Sequence, residues 1–347
     1  MVRPASTSAG ELRPDRIATI EVLRGLAALA VAWFHFTNAD PAFPRAEWLR
    51  QSGAWGWLGV ECFFVISGFV LPLAMYRGGY RISDAGRFLA RRLIRLHPTY
   101  LASLAVVVGL WYISSPEDAR PPGGLQLLFH TVYLPAFFGY PWLNTVYWTL
   151  GIEVQFYLLL AGSFPLLAHP AKSIRMAWVA AAALLSLLAT PEILVFRFLV
   201  VFALGAVAFL TVVDLVDGAT GIVLLVVLAA ATWMVHGWPA ALAGTATAVV
   251  IARQVALPWR PMVGIGALSY SLYLIHAPLG GRAVNLGARY AEGIIAELGV
   301  VFAAMILSLG AAFVLHVLVE RPSLRVAAQL KTRPRSRLGA NHGNTTP

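Results

Sequence analysis

Residues 20–36 read IEVLRGLAALAVAWFHF, an apolar stretch long enough for a helix that crosses most of a bilayer. It carries Arg24 and His35 in its interior. Eleven residues make about three helical turns, so the two side chains lie on one face, roughly 16 Å apart along the axis. Either Arg24 snorkels to the cytoplasmic surface and His35 makes a structural hydrogen bond, or His35 handles protons in a cavity that also holds Arg24.

Composition places this stretch in an all-α polytopic membrane protein. Of the 347 residues, 59% are hydrophobic and only 12% are charged, about half the charge of a soluble domain. The single cysteine, Cys62, excludes a disulfide framework, and no histidines are paired at metal-ligand spacing. We therefore expect no metal. The chain divides into a disordered cytoplasmic tail (1–16), a transmembrane domain (17–325) and a basic disordered cytoplasmic tail (326–347).

Apolar runs predict about ten transmembrane helices. Leu125–Pro141 is aromatic but short, so it fits an interfacial or re-entrant segment better than a span. The predicted spans are 20–36, 55–76, 98–113, 145–168, 174–189, 194–213, 221–236, 239–253, 262–280 and 293–319.

The distribution of Lys and Arg predicts the orientation. With the N-terminus inside, interior segments hold 19 of these residues and exterior segments hold six, while Arg24 lies within a span. By the positive-inside rule both termini are cytoplasmic. The net charge of +10 then reflects topology and contact with anionic lipids, so nucleic acid is not needed as a partner.

This topology puts four ionisable residues from four helices in the outer half of the bilayer: His35, Glu61, Glu153 and His276. Each alone has an ordinary explanation as an interhelical hydrogen bond. Together they suggest a site, because a carboxylate beside an imidazole orients it and raises its basicity.

The segment RFLARRLIRLHPTY (87–100) carries arginines every four residues. Arg87, Arg91 and Arg95 form one helical stripe, and Arg92 lies beside it. One interpretation is an amphipathic cytoplasmic helix on anionic headgroups. The other is a clamp for a polyphosphate donor, since guanidinium groups suit phosphate. No glycine-rich nucleotide motif is present.

With these residues laid out, the chain resembles the membrane-bound acyltransferase family 3, which includes bacterial O-antigen and nodulation-factor O-acetylases. The likeness covers roughly residues 17–325 and rests on an ordered set of motifs. These are LRGLAALAVAWFHF, GVECFFVISGFVL, RFLARRLIRLHPTY, VYWTLGIEVQFYLLL, and ALSYSLYLIHAPL with VERPSLR.

The resemblance implies that His35 acts in acyl transfer with Arg24 and Glu153 nearby, and that the cytoplasmic arginines engage acyl-CoA phosphates. Glu61 stands where the family usually has Asp, and Thr149 where Ser is common. Only about 25 residues follow Arg321. This length leads us to expect a stand-alone member that modifies lipid-linked or small glycosides, nodulation factors or macrolide sugars.

We therefore expect a multi-pass O-acyltransferase of the bacterial inner membrane. It would transfer acetyl from cytoplasmic acetyl-CoA, a co-substrate rather than a bound cofactor, to a sugar hydroxyl. His35 would be the general base or a transient acyl carrier, Glu153 would orient it, and Arg24 would steady the donor or the oxyanion. The donor site would comprise Arg91, Arg92 and Arg95. The acceptor site would comprise Glu61, Trp148, Tyr270, Tyr273 and His276.

The alternative is a proton-coupled transporter of a glycoside or lipid-linked intermediate, because intramembrane His and Glu also suit a proton relay. The arginine segment separates the two functions. Replacing Arg92 and Arg95 would abolish donor binding in an acyl-CoA enzyme, whereas in a transporter it would shift only topology or lipid dependence.

Overall fold

A computed structural model describes residues 14–40, 42–114, 121–188, 191–257 and 259–330, and these residues form helices without a β-strand. Two π-helical turns, His276–Gly280 and His316–Glu320, extend α11 into α12 and α13 into α14. The helices are α1 (Pro14–Asn38), α2 (Glu47–Gly53), α3 (Gly59–Arg77), α4 (Ala85–Ser114), α5 (Gly124–Thr131), α6 (Trp148–Leu167), α7 (Lys172–Leu187), α8 (Leu199–Val212), α9 (Gly218–His236), α10 (Trp238–Ala252), α11 (Arg260–Ile275), α12 (Gly281–Gly287), α13 (Ile294–Leu315) and α14 (Arg321–Gln329).

Eight helical segments in the described residues are long and apolar enough to cross a membrane, which confirms an all-α polytopic protein. The two other predicted spans form shorter helices, α7 with 16 residues and α10 with 15. The count of ten and the cytoplasmic termini stay predictions. The eight segments are Ala18–Asn38, Glu47–Arg77, Ile82–Ile113, Trp148–Leu167, Val195–Val212, Gly218–His236, Arg260–Gly287 and Ile294–Gln329.

The arginine segment and the third predicted span form one helix, contrary to the division that we expected at Pro98. Helix α4 runs for 30 residues and contains Pro98 in its interior. A proline removes one backbone hydrogen bond, but the flanking Leu- and Arg-rich sequence favours helix on its N-terminal side. The arginine stripe is therefore continuous with an apolar helix.

Helix α8 forms the centre of the largest apolar core. All its residues from 199 to 210 are buried, as expected for a helix that is hydrophobic on every side. It packs against α3 through Gly68 and Gly205, where an added Cβ would lie 2.0 Å from a backbone oxygen of the other helix. Only glycine permits this approach.

Helices α1 and α11 approach each other equally closely. A Cβ on Gly266 would lie 2.0 Å from the carbonyl oxygen of Glu21, and one on Gly25 would lie 2.7 Å from that of Met262. This packing holds the Arg24 turn of α1 beside the tyrosines at 270 and 273 on α11.

Candidate active site

A cavity of about 220 Å³ lies between α1, α3, α4, α6 and α11. We call it the arginine cavity. It gathers six of the residues that the sequence suggested for the site, and the six come from four different helices. They are Arg24, Arg92, Arg95, Glu153, Tyr270 and Tyr273.

Glu153 is held in the arginine cavity by two hydroxyl groups. Tyr157 donates to its Oε1 at 2.5 Å and Ser67 donates to the same atom at 3.1 Å. Hydrogen bonds to a charged acceptor are short and strong. The carboxylate is therefore fixed between α3 and α6.

Arg24 and the two tyrosines of α11 also have defined partners. Arg24 forms an ion pair with Glu21 one turn earlier, at 3.3 Å. The hydroxyl of Tyr270 donates to the carbonyl of Leu96, and this hydrogen bond connects α11 with α4. The hydroxyl of Tyr273 bonds to that of Thr149 at 2.8 Å.

A second cavity of about 340 Å³ adjoins the first, and both are lined by Val70, Arg92 and Arg95. We call it the vestibule. Arg87 and Arg91 also line it, and Asp84 is the one acidic residue of its lining. Asp84 pairs with Arg87 at 3.3 Å. Among the described residues, no carboxylate lies within 4 Å of the other three arginines. The vestibule is therefore strongly cationic.

His35 pairs with His276 outside the lining of these cavities. Nε2 of His276 lies 3.2 Å from Nδ1 of His35, and the Nδ1 atoms contact the carbonyl oxygens of Leu272 and Val31 respectively. Because a carbonyl only accepts, each neutral ring carries its hydrogen on Nδ1. The single Nδ1 hydrogen of His35 is then shared between the Val31 carbonyl and Nε2 of His276, and Nε2 of His35 keeps its lone pair.

The structure does not pair Glu153 with His35. His35 contacts His276 and the Val31 carbonyl, whereas Glu153 accepts from Ser67 and Tyr157. Depth along a helix does not specify which face a side chain occupies. Tyr273 links the two regions: its ring contacts that of His276, with centroids 5.9 Å apart, and it lines the arginine cavity.

Glu61 and Trp148 lie in a third cavity of about 900 Å³. We call it the aromatic cavity. It adjoins the arginine cavity at Val60, which lines both. Seven aromatic side chains line its wall: Trp57, Tyr133, Phe137, Tyr140, Trp142, Trp148 and Phe198.

Sequence reasoning missed Glu320, which lines the arginine cavity and is almost fully buried. Its Oε2 accepts from Ser271 at 2.6 Å and contacts Nδ1 of His316 at 3.0 Å. The four-residue spacing of His316 and Glu320 was a usable signal. The motif that contains Glu320 had been noted, but the residue had been given no role.

Comparison with known proteins connects this site to a family. A family model described as an acyltransferase domain matches residues 17–317. No solved structure matches. A putative membrane-bound transacylase, BcsY, from Komagataeibacter xylinus is 32% identical over 172 residues, which is 45% of this chain and 40% of that protein.

Two further relatives carry acetyltransferase names. The O-acetyltransferase OatA of Staphylococcus aureus (strain NCTC 8325 / PS 47) is 30% identical over 45% of this chain and 26% of its own length. A putative acetyltransferase, ORF330, of Acidianus two-tailed virus is 29% identical over 41% of this chain and 39% of its own. The alignments thus span less than half of each curated relative. Since the family model covers most of the sequence, the chain belongs to the membrane-bound acyltransferase family 3.

Proposed function

We propose that this multi-pass membrane protein is an acyl-CoA-dependent O-acyltransferase of the bacterial inner membrane. It transfers an acetyl group to a hydroxyl of a sugar in a lipid-linked glycan, a cell-surface polysaccharide or a glycoside. The cationic vestibule that leads into the arginine cavity is the observation that carries this proposal.

The vestibule suits the donor because acyl-CoA carries its phosphate groups at the nucleotide end, while its thioester lies at the far end of a long, thin arm. Guanidinium groups bind phosphate oxygens through paired hydrogen bonds. Arg91, Arg92 and Arg95 lack carboxylate partners within 4 Å in the described structure, so their charges remain available. With the phosphates bound in the vestibule, the thioester could reach the arginine cavity past Arg92 and Arg95, since these two residues line both cavities.

With His35 as the base, the proposed reaction is one direct acyl transfer; with His35 as carrier, Nε2 first takes the acyl group as CoA leaves, and the acceptor oxygen then displaces the imidazole. In the direct transfer, the acceptor oxygen attacks the thioester carbonyl carbon as its proton passes to a base. The new C–O bond forms, the C–S bond breaks, and CoA leaves as a thiolate that takes up the proton. Arg24 lines this cavity, and its proposed role is to stabilise the developing oxyanion.

His35 remains the proposed base or transient acyl carrier, since both roles need the lone pair that its hydrogen bonds leave on Nε2. His276 holds the ring, and Tyr273 connects the pair to the arginine cavity. Glu153 is reassigned: its contacts support a role in positioning Tyr157 and Ser67 around the donor.

The test uses the full chain in nanodiscs with radiolabelled acetyl-CoA and a bacterial glycolipid extract. Wild type should place label in an alkali-labile ester, and folded His35→Ala should not. Arg92→Ala and Arg95→Ala should each raise KM for acetyl-CoA about tenfold or more. Arg81→Ala is the matched control, because Arg81 is exposed outside the vestibule lining.

A transporter would give a different result. It would neither bind nor consume any acyl-CoA tried, while His35→Ala would abolish proton-coupled glycoside uptake in proteoliposomes. That outcome would replace the proposed function with the alternative.

A further inference from the structure

We propose that the aromatic cavity binds an uncharged glycosyl unit of the acceptor and that Glu61 accepts hydrogen bonds from its hydroxyl groups. This inference rests on the proposed function, and it locates the acceptor and defines its chemistry. The evidence is the lining of the cavity and the unsatisfied carboxylate of Glu61.

The wall of the aromatic cavity suits a sugar ring. Seven aromatic side chains line about 900 Å³, a volume within the range of ~300–1,000 Å³ that is usual for ligand sites. A pyranose presents an apolar C–H face that packs on aromatic rings, and its edge carries hydroxyl groups that need polar partners. The tryptophans at 57, 142 and 148 supply the largest of these surfaces.

Four other polar side chains of the cavity, those of Gln155, Glu192, Arg197 and His236, have protein partners. Gln155 donates to the Ile193 carbonyl and accepts from the Val195 amide. Arg197 pairs with Glu192 at 3.6 Å. His236 Nε2 bonds to the carbonyl of Arg197.

Glu61 differs from these side chains. It is 7% exposed and lines the cavity, yet its Oε2 has no hydrogen-bond partner in the described residues. An unpaired buried carboxylate oxygen is costly, and the cost is relieved when a donor arrives. Hydroxyl groups of a sugar are donors that fit this site.

Charge then selects the class of sugar. Because Arg197 is already paired with Glu192, the lining offers no unpaired guanidinium to a second anion beside Glu61. An anionic unit, such as a uronate or a sugar phosphate, is therefore disfavoured there, whereas the polyanionic donor is attracted to the vestibule. The two cavities thus sort the two substrates by charge.

The position of the aromatic cavity allows the acceptor to meet the acyl group. Val60 lines both it and the arginine cavity, and on α6 the consecutive residues Trp148 and Thr149 line one cavity each. A sugar stacked near Trp148 would therefore lie beside the wall that separates the aromatic cavity from the arginine cavity.

Direct binding tests this inference independently of turnover. The full chain in nanodiscs is titrated with methyl glycosides of glucose, galactose, mannose and N-acetylglucosamine, and with methyl glucuronide, by saturation-transfer NMR. CoA binding is measured in the same samples. At least one neutral glycoside should bind, and the glucuronide should bind at least tenfold more weakly.

Glu61 variants identify the site. Glu61→Ala should weaken binding of the neutral glycoside about 10- to 100-fold. Glu61→Gln should reduce the ratio between the affinities for the neutral glycoside and for the glucuronide. CoA binding should stay unchanged in both variants. Glu47→Gln, at an exposed position of helix α2 outside the cavity lining, is the control. Melting temperatures confirm that each variant is folded.

The outcomes separate the two proposals. If no neutral glycoside binds, or if the Glu61 variants bind like wild type, or if the glucuronide binds best, the inference is overturned while CoA binding keeps the acyltransferase proposal. If CoA also fails to bind wild type, the proposed function fails with it.

Discussion

At the scale of single residues, the histidine pair constrains the chemistry most. His276 accepts from Nδ1 of His35 through Nε2 while its own Nδ1 bonds to the Leu272 carbonyl. Only one arrangement of hydrogens satisfies these contacts in the neutral pair. His276 is therefore a positioning residue for His35.

This geometry gives a prediction for His276. Replacing it with Leu removes the acceptor and should lower kcat about 10- to 100-fold with KM for acetyl-CoA unchanged. Glutamine can place an acceptor oxygen near the position of Nε2, so His276→Gln should retain most of the activity. Equal losses in the Leu and Gln variants would contradict a hydrogen-bonding role. Steady-state kinetics on variants matched for melting temperature supply the measurement.

His130, on α5, gives a prediction for stability. It is fully buried, its Nδ1 bonds to the Gln126 carbonyl, and its Nε2 accepts from the Leu143 amide. Burial lowers the pKa of His130, and the hydrogen bond to Gln126 opposes this only in part. His130 therefore binds a proton at a lower pH in the folded state than in the unfolded chain, where histidine is protonated below pH ~6.5.

The stability that neutral His130 contributes is therefore complete above the unfolded-state pKa of ~6.5. It is lost as the pH falls from there through the lower folded-state pKa. His130→Gln keeps an acceptor for Leu143 but cannot titrate. Between pH 7.5 and 5.5, the melting temperature of wild type should fall further than that of this variant. Identical losses would show that His130 is not a source of the pH dependence.

At the scale of helices, close backbone contacts decide where the site residues stand. Gly266 places α11 against the carbonyl of Glu21, next to Arg24. Two π-helical turns also help to position site residues. The first begins at His276 and the second ends at Glu320. Such turns often occur at functional sites, since the extra residue redirects a side chain.

We predict that Gly266→Ala destabilises the protein by about 1–3 kcal/mol, because the new methyl group meets rigid backbone. Gly264→Ala is a matched control on the same helix, since a Cβ there meets nothing within 4 Å and alanine favours helix. Thermal unfolding in detergent should show a lower melting temperature only for the first variant. Similar melting of both would mean that α1 and α11 can separate at little cost.

At the scale of the whole molecule, hydropathy and charge were enough to predict the fold class, and the sequence suggested six of the residues that line the arginine cavity. Long apolar runs specify helices, and ionisable residues in them mark a cavity. They did not specify neighbours: Glu153 contacts Tyr157 rather than His35, and Glu61 lies in a different cavity from Arg24. Depth is a one-dimensional quantity, whereas contacts depend on helix rotation and on glycine contacts such as Gly68 with α8.

The three cavities follow one another along α3. The aromatic cavity is lined by Val60 and Glu61 in its first turn, the arginine cavity by residues from 60 to 71, and the vestibule by Met75 and Gly78 at its end. Glu61 and Met75 are separated by fourteen residues, or about 21 Å along the helix. If α3 crosses the membrane, the vestibule and the aromatic cavity open to opposite sides.

Cysteine labelling tests this arrangement, since replacing the single native Cys62 gives a cysteine-free background. Ile82→Cys lies beside the vestibule end and Phe138→Cys beside the rim of the aromatic cavity, and both positions are exposed. In spheroplasts, a membrane-impermeant maleimide should label the cysteine at 138 at once and the one at 82 only after permeabilisation. Labelling of both from one side would contradict a path across the membrane. It would also place donor and acceptor in the same compartment, because each cavity would then open to the same solution.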